Sequence, residues 1–480
     1  MRKKIRRYQL GYPTSVDPIH LTETVGKEIT DNVYEKLIFY KAKDYTKFVN
    51  VLAEDFVLSK DGMSVIFYIR RNVFFHDGSK LNAEAVYLSL IRMIKDSGNA
   101  LVEELLDINS IKIIDNYTIK ISALKYSPGF IHIFALQEAS IISPSILKKR
   151  YTLGYVACGT GPFYIEEVSI KNIRLLRNNG YWRTLPQIEE IDILFEDDIE
   201  IRKDNFLRGV GEITIDEGVD IEEYVARTDI VVENNMSLDM VFLGFNLRKT
   251  MMQNLLVREA ITKSFNSKEY IKYTRKGYGV SINGLVPKGL LGYSDKINGY
   301  EYTLTPIKES IKNGLIRSNL TLLLPYGNGN NNYIVSVWIP LLKSIGINVN
   351  LDIREWTSFL KELKEGNFDL FYVSWAPDYP DPDNYVYQFV HSKGLVASYC
   401  GISSCYGSFI DGLIEDARKE KDEKLREEKY ITIQNIVNFY HLYIPLHQTN
   451  DIKVYRNNVI GVTYNALCSD YDFYPIDIIE

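Results

Sequence analysis

The amino-acid sequence predicts an α/β protein built from several lobes. Three observations point there. At 480 residues the chain is too long for one hydrophobic core, and its length fits about three domains or lobes. Short runs with strand-like alternation are interleaved with segments of helical apolar periodicity. No repeat, low-complexity tract or long Pro/Ser linker separates them, so the lobes must be joined by short crossings.

Taken in order, "KIRRYQLGY" near the start reads as a strand entering the fold. "VLAEDFVLSKDGMSVIFYIRRNVFFHDG" reads as a β-meander, with "SKDG" turning one alternating run into the next and "FHDG" closing the second on Asp-Gly. "LNAEAVYLSLIRMIKDSG" is a helix: Asn82 caps it, Val86, Leu90 and Met93/Ile94 form its apolar stripe, and Ser97-Gly98 stops it. "LVREAITKSFNSKEYIKY" reads as one amphipathic helix. "IVSVWIPLLKSIG" reads as another, ending at Gly346 before the strand "INVNLDI". "IEDARKEKDEKLREEKYITIQNIVNFYH" reads as one long helix whose charge run is a solvated face. "NFDLFYVSW" is a strand ending at Trp375. The stretch that follows, "SWAPDYPDPDNY", holds too many turn formers for a helix and too many rings for an ordinary loop.

Composition narrows the function. The formal net charge is −6, and no Lys/Arg tract occurs beyond the first seven residues, which argues against a nucleic-acid binder. No run of eighteen or more apolar residues exists to span a bilayer. "MRKKIRR" resembles the basic start of a signal peptide, but "YQLGYPTSVDP" stands where the apolar region would be required. Tyrosine is abundant, with 35 residues against 21 Phe and 4 Trp, and suits recognition surfaces as well as cores.

Motif searches exclude most chemistry. There is no G-x-x-x-x-G-K-[ST], G-x-S-x-G or H-E-x-x-H, and no pair of the six histidines has a helical metal-ligand spacing, so no metal or cofactor is expected. "YGNGNNNY" at 326–333 lacks the context of a phosphate-cradling loop. His76-Asp77 could form an acid/base pair, and "DYPDPD" supplies paired carboxylates, but neither has a nucleophile or facing partner at a motif position. Cys400 and Cys405 bracket "GISS". Their spacing leaves a local disulfide, two free thiols or an incomplete metal set open, and the disulfide is expected if the chain is exported.

Read together, these segments resemble the family 5 extracytoplasmic solute-binding proteins, the oligopeptide, dipeptide and nickel-binding components of ABC importers. The resemblance rests on "TSVDP" followed by "VYEKLIFY", on the 52–86 meander and helix through "FHDG", on "GTGPFYIEE…LLRNNGYW", on "FNL…LLVREAITKSFN", and on 341–382 through "SWAPDYPDP". The matches run in order along nearly the whole chain. Ala85 departs from the pattern, standing where the family usually has Asp.

The resemblance implies a type II, cluster C periplasmic-binding-protein-like fold of two lobes closing over a ligand. Lobe I would comprise 1–44, an inserted subdomain at 45–153, 154–245 and 451–480; lobe II would be 246–450, with crossings near "FLGFN" and "QTNDI". It implies an extracytoplasmic monomer that binds peptides and delivers them to an ABC permease, without catalysis. It places the peptide α-amino group on Asp378, with Trp375 and Tyr379 excluding water and Ser374 to Ala376 beside the peptide main chain. Thr24, Asn246 and Tyr464 are further expected ligand contacts, and Asp381 and Asp383 are expected to be turn residues. The alternatives are the same fold with a nickel chelate, haem or oligosaccharide as cargo, or a hydrolase using His76/Asp77 or the 378–383 carboxylates.

Overall fold

The computed structural model describes residues 3–9, 11–13, 15–21, 24–41, 44–147, 157–215, 221–316, 319–326, 333–467 and 471–479. The chain divides into two compact units. The first takes Met1–Asp216, Asp220–Glu233 and Ile452–Glu480; the second takes Glu217–Val219 and Asn234–Asp451. Most of the "YGNGNNNY" stretch lies outside the described residues, as does Cys468.

In the first unit β1 (Lys4–Gln9) leads to α1 (Thr24–Val33) and a hairpin of β2 (Ile38–Lys41) and β3 (Asp44–Asn50). β4 (Ala53–Leu58) and β5 (Ser64–Ile69) are the antiparallel pair expected around "SKDG". In α2 (Ala83–Asp96) Asn82 accepts the Ala85 amide, Val86, Leu90 and Met93 are buried, and Gly98 just beyond the end has a φ of 63°. β6 (Ile111–Asp115) and β7 (Thr118–Ser122) complete a four-stranded sheet ordered β4–β5–β7–β6.

A second sheet of this unit is built on β1. β8 (Phe163–Val168), β9 (Asn172–Arg177) and β10 (Glu190–Phe195) form an antiparallel meander; β10 pairs with β1 in parallel, as does β11 (Ile213–Ile215) on its other side. Alternate residues Ile5, Ile173, Leu175, Ile191 and Ile193 point into a core with Ile29 and Val33 of α1 and Phe473 and Ile476 of the tail.

β12 (Ile230–Phe245) carries the chain into the second unit, where it lies in a sheet ordered β14–β13–β15–β12 with β13 (Asn319–Pro325), β14 (Asn348–Arg354) and β15 (Leu370–Trp375). The division falls at Glu233/Asn234, earlier than the 245/246 boundary read from the sequence. The first position lies within β12 and the second at its end. Phe242 to Phe245 pair with Val373 to Leu370 inside the second unit. β16 (Tyr443–Arg456) returns, dividing at Asp451/Ile452 within "QTNDI", and pairs Lys453–Tyr455 with β11.

Two segments read as single helices are each broken in two. Leu255–Lys263 ends before Asn266, whose side chain accepts the Glu269 amide at 3.2 Å and starts Ser267–Thr274. Gly407–Lys419 ends before Asp422, which accepts the Leu425 amide at 2.9 Å and starts Glu423–Phe439. In both, a capping side chain overrides a periodicity that continues across it.

The Cys400–Cys405 disulfide is not formed. Cys400 ends the helix Leu395–Cys400 with its thiol buried, 3.2 Å from the Tyr443 hydroxyl, whereas Cys405 follows a 3-10 turn and is exposed. Burial pushes the Cys400 thiol up to about 12, that of an inert core residue.

Candidate functional site

β15 is central at its start and open at its end. β12 flanks it from Leu370 to Trp375, but β13 pairs with it only at Leu370 and Phe371. From Tyr372 to Trp375 the strand runs on without β13, whose last residue, Pro325, has no N–H to offer. Ser374 and Ala376 are exposed, and Trp375 is half-buried with its ring edge-on to Phe389.

Asp378 is exposed, and Asn384 holds it. The Asn384 Oδ1 accepts from Trp375 Nε1 at 3.1 Å and from the Asp378 amide at 3.2 Å, while Asn384 Nδ2 donates to the Asp378 carboxylate at 3.4 Å. Asn384 is itself buried, so the loop carrying the carboxylate is pinned from below. The helix Pro382–Val390 that holds Asn384 starts inside the stretch read as unable to form one. Asp381 caps it by accepting the Asp383 amide at 2.8 Å, and Pro382 sits at the first helical position, where a missing N–H costs nothing.

Asp381 and Asp383 are more than turn residues. Arg426 clasps Asp381 at 2.9 and 2.6 Å, and Arg418 Nε lies 3.1 and 3.2 Å from the two oxygens of the buried Asp383. Both arginines come from the charge run read as a solvated face. Arg418 is turned inward and almost fully buried. Burial, reinforced by Asp381 and opposed by both arginines, holds the Asp383 carboxyl up to about 6. Tyr379, expected to exclude water from the ligand, belongs to this network: it is buried and donates to Asp383 at 3.0 Å.

The remaining expected contacts separate. Asn246 is fully buried; its Nδ2 donates to Gly366 O and Phe368 O, both at 2.9 Å, and its Oδ1 accepts Arg248 Nε at 3.0 Å. It ties strands and loops together and has nothing left for a ligand. Thr24 opens α1, and Tyr464 lines a cavity of the first unit.

His76 and Asp77, the candidate acid/base pair, form a clasp. His76 Nε2 lies 3.0 Å from Gly161 O, and its Nδ1 accepts the Gly159 amide at 3.3 Å; burial lowers its pKa, keeping the ring neutral. Asp77 accepts the Ser79 and Ser143 hydroxyls, both at 2.6 Å. The clasped "GTGP" loop needs its glycines. A Cβ on Gly159 or Gly161 would lie 2.2 or 2.6 Å from Val33 O at the end of α1. Between them Thr160 donates at 2.8 Å to the buried Glu35, which also accepts Tyr181 Oη at 2.9 Å and Trp182 Nε1 at 2.8 Å. The motif "GTGP…YW" is thus one structural knot.

The strand end thus bears an exposed, pinned carboxylate, while His76 and Asp77 are held in hydrogen bonds to Gly159, Gly161, Ser79 and Ser143. The chain belongs to the bacterial extracellular solute-binding proteins, family 5, whose middle-region model matches residues 47–395. It is similar to the dipeptide-binding protein of Escherichia coli, 26% identical over 473 residues, covering 91% of this chain and 87% of the relative. The haem-binding protein A of Haemophilus influenzae is 24% identical over 444 residues, covering 85% and 80%. A solved structure of the Helicobacter pylori ABC-transporter-associated periplasmic binding protein DppA with peptide STSA superposes with a TM-score of 0.87. It shares 23% identity and covers 99% of this chain and 98% of that one. The fold is the type II periplasmic-binding-protein fold of this family. Among the described residues no helix is long and apolar enough to cross a membrane.

Proposed function

We propose that the chain is an extracytoplasmic, monomeric binding protein that holds peptides by their free α-amino group at Asp378 and delivers them to an ABC permease without altering them. The observation that carries this reading is the exposed Asp378 carboxylate, pinned by Asn384 at the end of a strand with one open edge. An ammonium entering such a site exchanges hydration for a preset charge-assisted bond. The edge of Tyr372–Trp375 offers main-chain groups that pair with any peptide, so affinity is spread over backbone rather than side chains. Peptides carried by the dipeptide-binding and STSA-bound relatives fit this chemistry.

The test is calorimetry with a free-amine dipeptide and its N-acetylated form. Asp378→Asn should cost the free peptide about 2–5 kcal/mol, the usual penalty for stranding one partner of a buried charge pair. The acetylated form should bind the wild type poorly and lose little further. Equal binding of the two forms by the wild type would remove Asp378 as the amine anchor.

A further inference from the structure

The first unit holds a cavity of about 300 Å³ lined entirely by its own residues, around the C-terminal end of α1, the β2–β3 hairpin and the tail. Most charges on its wall are committed: Lys36 donates to Asp31 at 2.6 Å, and Glu35 accepts its three donors. Two are not. The Arg183 guanidinium lies over the Trp182 ring, 4.4 Å from its centroid; among the described residues it makes no direct ion pair or hydrogen bond, and its charge acts on Glu35 and Asp472 only through space. Asp472 has no cation bonded to it among the described residues; its Oδ1 accepts only the Tyr474 amide, at 3.0 Å. It is open to solvent. Much of the remaining wall is aromatic, including Phe39, Tyr40, Tyr464 and Tyr474, with Val49, Val51 and Pro162 beside them.

We propose that this cavity is a second binding site, for a single free α-amino acid with an apolar or aromatic side chain. Arg183, preset by stacking, offers its fork of N–H donors to the α-carboxylate. Asp472 takes the α-ammonium, and the rings receive the side chain. The volume stands at the low end of the roughly 300–1,000 Å³ of ligand pockets, which suits one residue and not a peptide. The two opposite charges neutralise a zwitterion; neither a simple anion nor a simple cation satisfies both. The cavity belongs to the first unit, and Asp378 is carried by the second.

The experiment is calorimetry of the full chain with L-phenylalanine, in an Asp378→Asn background so that the proposed peptide anchor cannot take the ligand. Binding should persist there and weaken about 10- to 100-fold on Arg183→Gln or Asp472→Asn, the worth of one charge-assisted hydrogen bond. N-acetyl-L-phenylalanine and L-phenylalaninamide, each lacking one charge, should show the same loss on a chain with Arg183 and Asp472 intact, which keeps the test valid if a variant fails to fold. The proposal is overturned if L-phenylalanine does not bind the Asp378→Asn chain, if the two variants bind it unchanged, or if the amide and acetyl derivatives bind as well as the zwitterion.

Discussion

Asp378 and Asp383 stand five positions apart in one Pro-rich stretch and live in opposite environments. Asp378 is exposed, its carboxylate steadied by a neutral amide. Asp383 is buried, paired with Arg418 and hydrogen-bonded by Tyr379. The first faces solvent; the second is the foundation on which the loop stands. Residue type alone does not divide binding from support. What divides it is burial: Asp378 meets solvent, whereas Asp383 is enclosed with a guanidinium against it.

Breaking the buried side of this contrast should have the largest effect. Arg418→Met leaves Asp383 without its guanidinium and should cost about 3–5 kcal/mol in urea unfolding at neutral pH, and the double variant with Asp383→Leu should recover most of it. Next comes the pin between the two carboxylates. Asn384→Ala orphans Trp375 Nε1 and the Asp378 amide, which should cost about 1–3 kcal/mol of stability and weaken free-amine peptides less than Asp378→Asn does. Asp378→Asn, by contrast, should move stability by no more than about 0.5 kcal/mol, because the removed charge faces water.

Titration sharpens the same comparison. The folded chain holds the Asp383 proton up to about 6, while the unfolded chain releases it near the ordinary value of 3.8. Folding therefore takes up a proton between these values. The stability from this group is complete below the lower one and is lost as pH rises to the upper one. Asp383→Asn should remove that downward slope between about pH 4 and 6 in parallel urea titrations, and Asp378→Asn should leave it intact. The smallest effect is in thiol labelling. Iodoacetamide should modify exposed Cys405 in the native chain while Cys158 and Cys400, pushed up to about 11 and about 12, react only on unfolding.

Much of this was legible locally. The Asn82 cap, the "SKDG" hairpin and the strand ending at Trp375 depend on neighbours within a few positions, and the structure shows each. The helix begun at Pro382 was also locally written, as Asp-Pro with a first-turn Asp, but the density of prolines masked it. Arg418 and Arg426 were not legible. They meet Asp383 and Asp381 across 35 and 45 residues, and nothing in "ARKEKDEKLREEK" marks which charges turn inward. Nor were the bonds of Asn246 legible, since its carbonyl partners Gly366 and Phe368 are 120 and 122 residues away.

The first unit is assembled from both ends of the chain, and that orders events during synthesis. Asn32 of α1 donates to Tyr471 O and accepts the Phe473 amide, both at 2.9 Å, and Phe473 and Ile476 fill the core beside β1. The ribosome therefore makes most of this unit long before the residues that close it. The second unit, continuous from Asn234 to Asp451 apart from three residues, has its parts earlier than the first has its last strand. Until the tail emerges, the core that Phe473 and Ile476 complete lacks part of its apolar cover, the kind of exposed surface that chaperones hold. A ribosome stalled before β16 would yield a chain whose second unit lacks a strand and whose first lacks its keystone.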